Sequence, residues 1–207
     1  MLRHTRNVRD PFGAAHPWYA LVELADPADA DLATVLEAAL GDAFERDFAL
    51  DAVVATGSTQ RAALWALREG ISEAQNFEGP SLKHDVTVPI GRLADFVERT
   101  DAALEAAVPG IRIVTYGHVG DGNLHYNLSG PVGMPAEEFR GRAGALSRIV
   151  YDSTAAFDGS FSAEHGVGVA KRDGLTTYKD AVELELMRAV KNLLDPAELL
   201  NPGKVLP

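Results

Sequence analysis

The chain has 207 residues, of which 46% are apolar and 24% charged, the composition of an ordinary globular protein with one large or two small domains. Its net charge of −11 argues against nonspecific binding to nucleic acid, although a local cluster of cations can still attract a small anionic substrate. The absence of cysteine excludes disulfides and thiolate metal ligands. No apolar run approaches the length of a membrane span, and the first residues lack the apolar core of a signal peptide, so we expect a cytoplasmic protein.

The first part of the chain shows alternating strand and helix patterns. Residues 1–16 are polar and irregular, and we expect a domain over residues 17–207. Apolar and β-branched runs predict strands, whereas apolar residues three and four apart predict helices. The predicted elements are a buried strand from Trp18 to Leu24, a helix that starts at Asp26-Pro27, a short strand from Asp51 to Ala55, and a helix capped by Ser58 or Thr59 that runs to about Gln75.

The second part of the chain contains a hairpin between helices. The predicted elements are a strand over residues 82–88, a helix opened by Pro89, a hairpin of residues 111–117 and 124–128, a helix from Pro135 to about Phe157, an irregular stretch over residues 160–169, and a helix from Ala181 to Leu194. This order favours an α+β fold with a ferredoxin-like antiparallel sheet and helices packed mainly on one face.

Two histidines flank the turn of the predicted hairpin. Asp121-Gly122 favours a two-residue type I′ turn, and centring the turn on this pair places His118 directly opposite His125. Their Cβ atoms are then about 5 Å apart, and Asn127 shares their face of the strand. Two imidazoles so placed can reach one metal ion, which needs at least a third protein ligand. The pair is also compatible with two surface or core histidines beside a tight turn.

The segment over residues 162–168 contains a second group of candidate ligands. Glu164 is the natural third ligand, since two histidines and one carboxylate with an open coordination position are typical of catalytic metal sites. Glu164 and His165 would face opposite ways on a regular strand, but Gly166 and Gly168 permit a distorted backbone that turns both toward one pocket. A charged surface loop is the alternative interpretation of the segment.

A possible anion grip lies earlier in the chain. Arg68 and Ser72 are four residues apart on one face of a predicted helix, and Lys83 begins the strand that follows. An arginine, a hydroxyl and a lysine can hold a carboxylate, with the arginine binding it through two hydrogen bonds. Because Glu69 follows Arg68 directly, an ordinary exposed helix position is the alternative.

Three segments together resemble one known family. Residues 117–125, 162–168 and 194–207 are similar to the C-terminal domain of FAD-linked 2-hydroxyacid dehydrogenases of the vanillyl-alcohol oxidase superfamily, which includes D-2-hydroxyglutarate and D-lactate dehydrogenases and the glycolate oxidase D subunit. The resemblance extends from about Arg9 to the end of the chain, and it implies that the protein is a flavin-dependent oxidoreductase.

The resemblance also implies a role for each group of matching residues. In such a domain His118, His125 and Glu164 are ligands of a divalent metal, usually zinc or manganese, and His165 is the proposed general base. Asn127 matches a pocket residue near the substrate, and Asn201 lies in a closing motif that approaches the flavin. The residues that match positions holding the distal carboxylate of dicarboxylate substrates are Arg68, Ser72 and Lys83.

The family's N-terminal flavin-binding domain, with its glycine-rich pyrophosphate loop, is absent from this sequence. We therefore expect a fragment, a separately expressed domain or a truncated gene product that binds a divalent metal without holding FAD tightly or turning over alone. The implied partners are a small 2-hydroxyacid and an FAD-binding domain or subunit. Two other functions stay open: a metal-dependent hydrolase that uses the same ligands to activate water, and a non-catalytic domain that docks on a separate flavoprotein.

Overall fold

The structure, a computed structural model, describes His4 and residues 9–27 and 31–206. The chain forms two compact units, residues 1–78 and 79–207. The helices of the first unit are α1 (Leu32–Glu45), α2 (Ser58–Glu69), α3 (Ile71–Gln75) and a 3-10 turn over Asn76–Glu78. The boundary expected at residue 16 stays a prediction, and residues 1–3 and 5–8 of the irregular segment lie outside the described residues.

Both strands predicted for the first unit are wrong. Residues 18–24 and 51–55 form no strand, and the Trp18 side chain is 63% exposed. An apolar run becomes a strand only where a neighbouring backbone edge accepts its hydrogen bonds, and neither run has such a partner among the described residues of this unit. The helix predicted up to about Gln75 is divided at Gly70 into α2 and α3, so Arg68 and Ser72 lie on two successive helices.

The second unit contains the sheet. Its strands are β1 (Ser81–Thr87), β2 (Arg112–His118) and β3 (Asn123–Ser129), and its helices are α4 (Leu93–Ala107), α5 (Ala136–Gly141), α6 (Ala143–Ala156), α7 (Arg172–Tyr178) and α8 (Ala181–Leu194), with 3-10 turns over Ile90–Arg92 and Val119–Asp121. The prediction of α8 is confirmed, α7 was not predicted, and the helix predicted from Pro135 is divided at Arg142. Among the described helices, none is both long and apolar enough to cross a bilayer.

The strand order confirms the predicted α+β fold. β3 lies between β1 and β2 and is antiparallel to both. Ser160 adds an antiparallel bridge on the outer edge of β1, where its N–H donates to the Thr87 carbonyl at 2.8 Å and its carbonyl accepts from the Thr87 N–H at 3.0 Å. A ferredoxin-like sheet has a fourth strand in that position. The chain therefore has the ferredoxin-like strand order, with the fourth strand reduced to a single bridge.

The two faces of β3 have different environments. Leu124, Tyr126 and Leu128 alternate along the strand and pack in one buried cluster with side chains of α4 and α6, including Phe96 and Leu146. The residues between them, Asn123, His125 and Asn127, point to the opposite face. α4 and α6 thus pack on the apolar face, and the polar face carries the candidate site.

A buried histidine on the helix-facing side gives the fold a pH dependence. The His84 Nδ1–H donates to the Tyr126 carbonyl at 2.7 Å, which leaves Nε2 to accept from the Ser147 hydroxyl at 2.9 Å. Burial lowers the pKa of His84 to about 4. The neutral ring is therefore favoured in the folded state, and its contribution to stability is lost as the pH falls from about 6.5 toward about 4.

We expect the free energy of unfolding to be about 2 kcal/mol lower near pH 5 than near pH 7.5 through this histidine alone. Urea titrations of the unsubstituted chain and of His84→Gln at both pH values measure this effect. The variant should lack that part of the pH dependence, whereas an unchanged pH dependence would assign it to other groups.

Candidate metal and substrate site

The hairpin turn is longer than predicted. Residues 119–121 form a 3-10 turn and Gly122 adopts a left-handed conformation with φ of 70°, so His118 pairs with Asn123 and Tyr116 pairs with His125. The expected direct opposition of His118 and His125 is therefore wrong by two residues of register. Because side chains alternate with a period of two, a shift of two residues keeps both histidines on one face, with ring centroids 6.3 Å apart.

The longer turn has a physical cause in its contact with the end of β1. The Val88 N–H donates to the Gly122 carbonyl at 3.1 Å, and the Thr87 hydroxyl donates to the Asp121 carbonyl at 3.0 Å. A Cβ atom at Gly122 would lie 2.0 Å from the Val88 carbonyl oxygen. These tertiary contacts outweigh the local preference of Asp121-Gly122 for a two-residue turn.

Glu164 lies between the two histidines. One carboxylate oxygen, Oε1, is 3.0 Å from His125 Nε2, and the other, Oε2, is 3.8 Å from His118 Nδ1. Ligand atoms at about 2.0–2.2 Å from one cation are at most about 4.4 Å apart, so each of these two spacings is compatible with a shared divalent ion. His118, however, lies outside the group of side chains whose ligand atoms all approach within 4.8 Å of one another. The His125 side chain is 12% exposed and that of Glu164 is 44% exposed, which leaves the group accessible from solution.

The loop that carries Glu164 has the distorted backbone expected from its glycines. Gly166 and Gly168 have φ of 75° and 57°, and the Ser162 hydroxyl closes the loop by donating to the Gly166 carbonyl at 2.7 Å. His165 stacks on His125, with ring centroids 5.1 Å apart and planes 16° from parallel. Glu164 and His165 thus both reach His125, although they are adjacent in sequence.

Asp85, which the sequence analysis did not select, lies beneath this group. It pairs with His125 across the β1–β3 ladder, and its side chain is only 1% exposed. Ligand atoms of Asp85, His125, Glu164 and His165 all lie within 4.8 Å of one another. The sequence signal for it was a carboxylate within the predicted strand over residues 82–88, since ionisable residues are rarely buried without partners.

The charge of Asp85 is compensated by its surroundings. Burial opposes its ionisation, but hydrogen bonds from the His165 N–H and the Asn123 side chain, with Lys171 nearby, outweigh burial and hold the pKa of Asp85 below its ordinary value. Lys171 Nζ lies 4.0 Å from Asp85 Oδ2 and donates to the Ser162 hydroxyl at 3.2 Å. Desolvation lowers the pKa of Lys171, and the carboxylate of Asp85 opposes that shift.

The residues expected to bind substrate lie in both units. Lys83 on β1 pairs with Asn127 on β3, and both share the sheet face of His125, with Lys83 exposed and Asn127 buried. Arg68 and Ser72 belong to the first unit, and their approach to Lys83 stays a prediction. Asn201, expected near the flavin, lies in an exposed turn where its carbonyl accepts from the Lys204 N–H at 3.1 Å.

Comparison with known proteins identifies the family. The family model described as FAD linked oxidases, C-terminal domain, matches residues 1–205. D-2-hydroxyglutarate dehydrogenase of Xanthomonas citri pv. viticola is 39% identical over 94% of this chain and 41% of its own length. The dehydrogenase of that name from Stutzerimonas stutzeri is 37% identical over 96% of the chain and 42% of its own length. The mitochondrial D-2-hydroxyglutarate dehydrogenase of Arabidopsis thaliana is 35% identical over 100% of the chain and 36% of its own length.

The chain thus spans about two fifths of the length of these curated relatives. The match to the family model, in contrast, extends over nearly every residue of the chain and includes both the histidine hairpin and the loop of Glu164. The chain therefore belongs to the family of FAD linked oxidase C-terminal domains.

Proposed function

We propose that this chain is the substrate- and metal-binding domain of an FAD-dependent D-2-hydroxyacid dehydrogenase, an enzyme that converts a 2-hydroxyacid to a 2-oxoacid. The observation that carries the proposal is the position of Glu164 beside His165 on the polar face of the sheet, with one oxygen 3.0 Å from His125 Nε2 and the other 3.8 Å from His118 Nδ1. The 39% identity to a D-2-hydroxyglutarate dehydrogenase supports the choice of reaction.

The metal site in this proposal uses two imidazole nitrogens and one carboxylate. Of the four groups within 4.8 Å, Asp85 already accepts hydrogen bonds at both oxygens and His165 is assigned to proton transfer, which leaves His125 and Glu164 as ligands. We add His118, which lies outside that group, as the third ligand because its Nδ1 is 3.8 Å from Glu164 Oε2. Imidazole and carboxylate together suit zinc or manganese. Such a cation would supply a Lewis acid that lowers the pKa of a substrate hydroxyl, as it does for bound water.

His165 is the proton acceptor in this proposal. Its Nδ1 lies 3.9 Å from Asp85 Oδ2, and a carboxylate at that position favours the tautomer with hydrogen on Nδ1. The lone pair of Nε2 is then available to accept the proton of the substrate hydroxyl. The half-exposed His165 side chain can meet a substrate that enters from solution.

The distal carboxylate of a dicarboxylic substrate is assigned to Lys83, which pairs with Asn127, a second residue assigned to the substrate, on the polar face of the sheet. Arg68 and Ser72 keep the same assignment as a prediction from the sequence. In a chain of net charge −11, an exposed lysine on the site face is a local attractive centre for an anion. The substrate class that follows is a 2-hydroxyacid with a second carboxylate, as the relatives' name D-2-hydroxyglutarate dehydrogenase indicates.

FAD carries the hydride chemistry in such enzymes, and we assign its binding to a partner domain or subunit. Asn201 is the residue of this chain that we place near the flavin, since its turn and the flanking Leu199 and Leu200 side chains are exposed. We infer that the chain alone does not turn over. A cytoplasmic location stays a prediction, because the Arabidopsis relative is described as mitochondrial.

Calorimetric titration of D-2-hydroxyglutarate and D-lactate into the zinc-loaded chain tests the substrate assignment. We expect the dicarboxylate to bind at least about tenfold more tightly, since a charged hydrogen bond contributes about 1.5–3 kcal/mol. Lys83→Met should remove that difference. The control Lys179→Met, whose ammonium group pairs with Glu183 at 2.8 Å, should retain it.

A chimera tests the reaction itself. This chain, joined to the N-terminal part of the Stutzerimonas stutzeri enzyme, should reduce FAD with D-2-hydroxyglutarate, and the chain alone should not. Hydrolysis of esters or phosphoesters by the zinc-loaded chain, without binding of either hydroxyacid, would instead favour a metal-dependent hydrolase.

A further inference from the structure

We infer that Asp85 is a positioning residue that holds Glu164 and His165 against His125 by binding successive backbone amides of their loop. The inference concerns the architecture beneath the site, and it rests on the proposed function for the roles of those three side chains. It adds to that proposal a residue whose carboxylate touches neither the substrate nor the metal.

The contacts converge on one oxygen of the carboxylate. Asp85 Oδ2 accepts hydrogen bonds from the N–H groups of Ala163, Glu164 and His165 at 3.1, 2.9 and 2.8 Å. Its other oxygen, Oδ1, accepts from Asn123 Nδ2 at 2.9 Å. Three consecutive amides that point at one oxygen fix the path of the backbone, and this path directs two adjacent side chains to one place.

The same hydrogen bonds make Asp85 a poor metal ligand. Oδ2 already accepts three N–H groups and Oδ1 accepts one, so the carboxylate is largely committed to hydrogen bonds. Its side chain is also only 1% exposed. Asp85 therefore belongs behind the ligands, where partners of metal-bound histidines are commonly found.

Asp85 also faces both imidazoles. Oδ1 lies 3.8 Å from His125 Nδ1, whereas the opposite nitrogen of that ring, Nε2, lies 3.0 Å from Glu164 Oε1. A carboxylate accepts hydrogen bonds but does not donate them, so with a cation between Nε2 and Glu164 the ring hydrogen lies on Nδ1, on the side of the ring that faces Asp85. Lys171, 4.0 Å away, supplies a compensating charge.

Two substitutions separate the roles of the acceptor and the charge. Asp85→Ala removes the acceptor, so hydrogen exchange at the amides of Glu164 and His165 in the metal-free chain should accelerate at least about tenfold. Asp85→Asn keeps an oxygen for the amides but turns an NH₂ group toward His125 Nδ1 and Asn123. We expect that variant to weaken zinc binding about 10–100-fold.

The matched control is Asp101→Asn. Asp101 is another carboxylate near β3, but it accepts from the Tyr126 hydroxyl on the helix-covered face. This variant should leave the exchange of the two amides and the zinc affinity unchanged. Zinc affinity is measured by competition with a chromophoric chelator.

The outcomes distinguish this inference from the proposed function. If the unsubstituted chain binds no zinc, the proposed metal site fails, while amide exchange in Asp85→Ala still decides whether Asp85 positions the loop. Unchanged exchange in that variant overturns the inference whatever the zinc result. If the variants do not fold, the unsubstituted chain decides the question. Scalar couplings between the amide nitrogens of Glu164 and His165 and the carboxylate carbon of Asp85 would support the inference, and their absence would overturn it.

Discussion

A His125→Ala chain is expected to bind zinc at least about 100-fold more weakly than the unsubstituted chain, with its fold retained. The partners behind metal ligands typically contribute 10–100-fold to metal affinity, so loss of a ligand should cost at least the upper end of that range. His125 is the nearer of the two hairpin imidazoles to Glu164, at 3.0 Å. Atomic emission on tag-free protein and chelator competition measure the metal content and the affinity.

Two further histidine variants identify the ligand set. His118→Ala should also lose stoichiometric metal, because His118 reaches the second oxygen of Glu164 at 3.8 Å. His165→Ala should change the affinity by no more than a few fold, since we assign His165 to proton transfer. The reverse pattern, with His165 required and His118 dispensable, would instead assign the ion to the group of Asp85, His125, Glu164 and His165.

Gly117→Ala is expected to lower the free energy of unfolding by about 3 kcal/mol or more, enough to prevent a stable second unit from forming. A Cβ atom at Gly117 would lie 2.0 Å from the Asn123 carbonyl oxygen and 2.9 Å from Leu124 Cα. Both are backbone atoms of the central strand β3, so neither can move away by a change of rotamer.

Gly120→Ala is the matched control in the same hairpin, because nothing lies within 4 Å of a Cβ atom built there. Its free energy of unfolding should change by less than about 0.5 kcal/mol. Urea unfolding followed by far-UV circular dichroism measures both variants. Equal stability of the two would show that β2 and β3 do not approach as closely as the structure indicates.

Several parts of the site were predictable because they depend on local pattern. The two histidines and Glu164 stand out as metal-binding residue types in dense glycine-bearing segments, and in the structure Glu164 lies 3.0 Å from His125 and 3.8 Å from His118. Their role as metal ligands stays a prediction. The alternation of side chains along a strand also predicted the shared face of His118 and His125. That conclusion survives the error in register because the error is an even number of residues.

Asp85 and Lys171 were not predictable in the same way. Neither lies in a recognisable motif. Asp85 is important because it contacts loop residues that are 78–80 positions away in the sequence, and Lys171 because it contacts Ser162, 9 positions away. An acidic residue within a predicted strand can signal a buried partner, but not which partner. The wrong strands over residues 18–24 and 51–55 have a related origin, since apolar pattern alone does not supply a neighbouring strand edge.

The sequence by itself determined the alternation of apolar and polar residues on β1 and β3, the glycines that allow sharp backbone turns, and the residue types able to bind a metal. These are properties of single residues and their near neighbours. Only the tertiary structure decided the length of the hairpin turn, through contacts between residues 119–122 and the end of β1, and the convergence of Glu164 and His165 over Asp85. The reason is physical: a buried carboxylate and a close backbone approach are stable only when distant segments of the chain supply their hydrogen bonds.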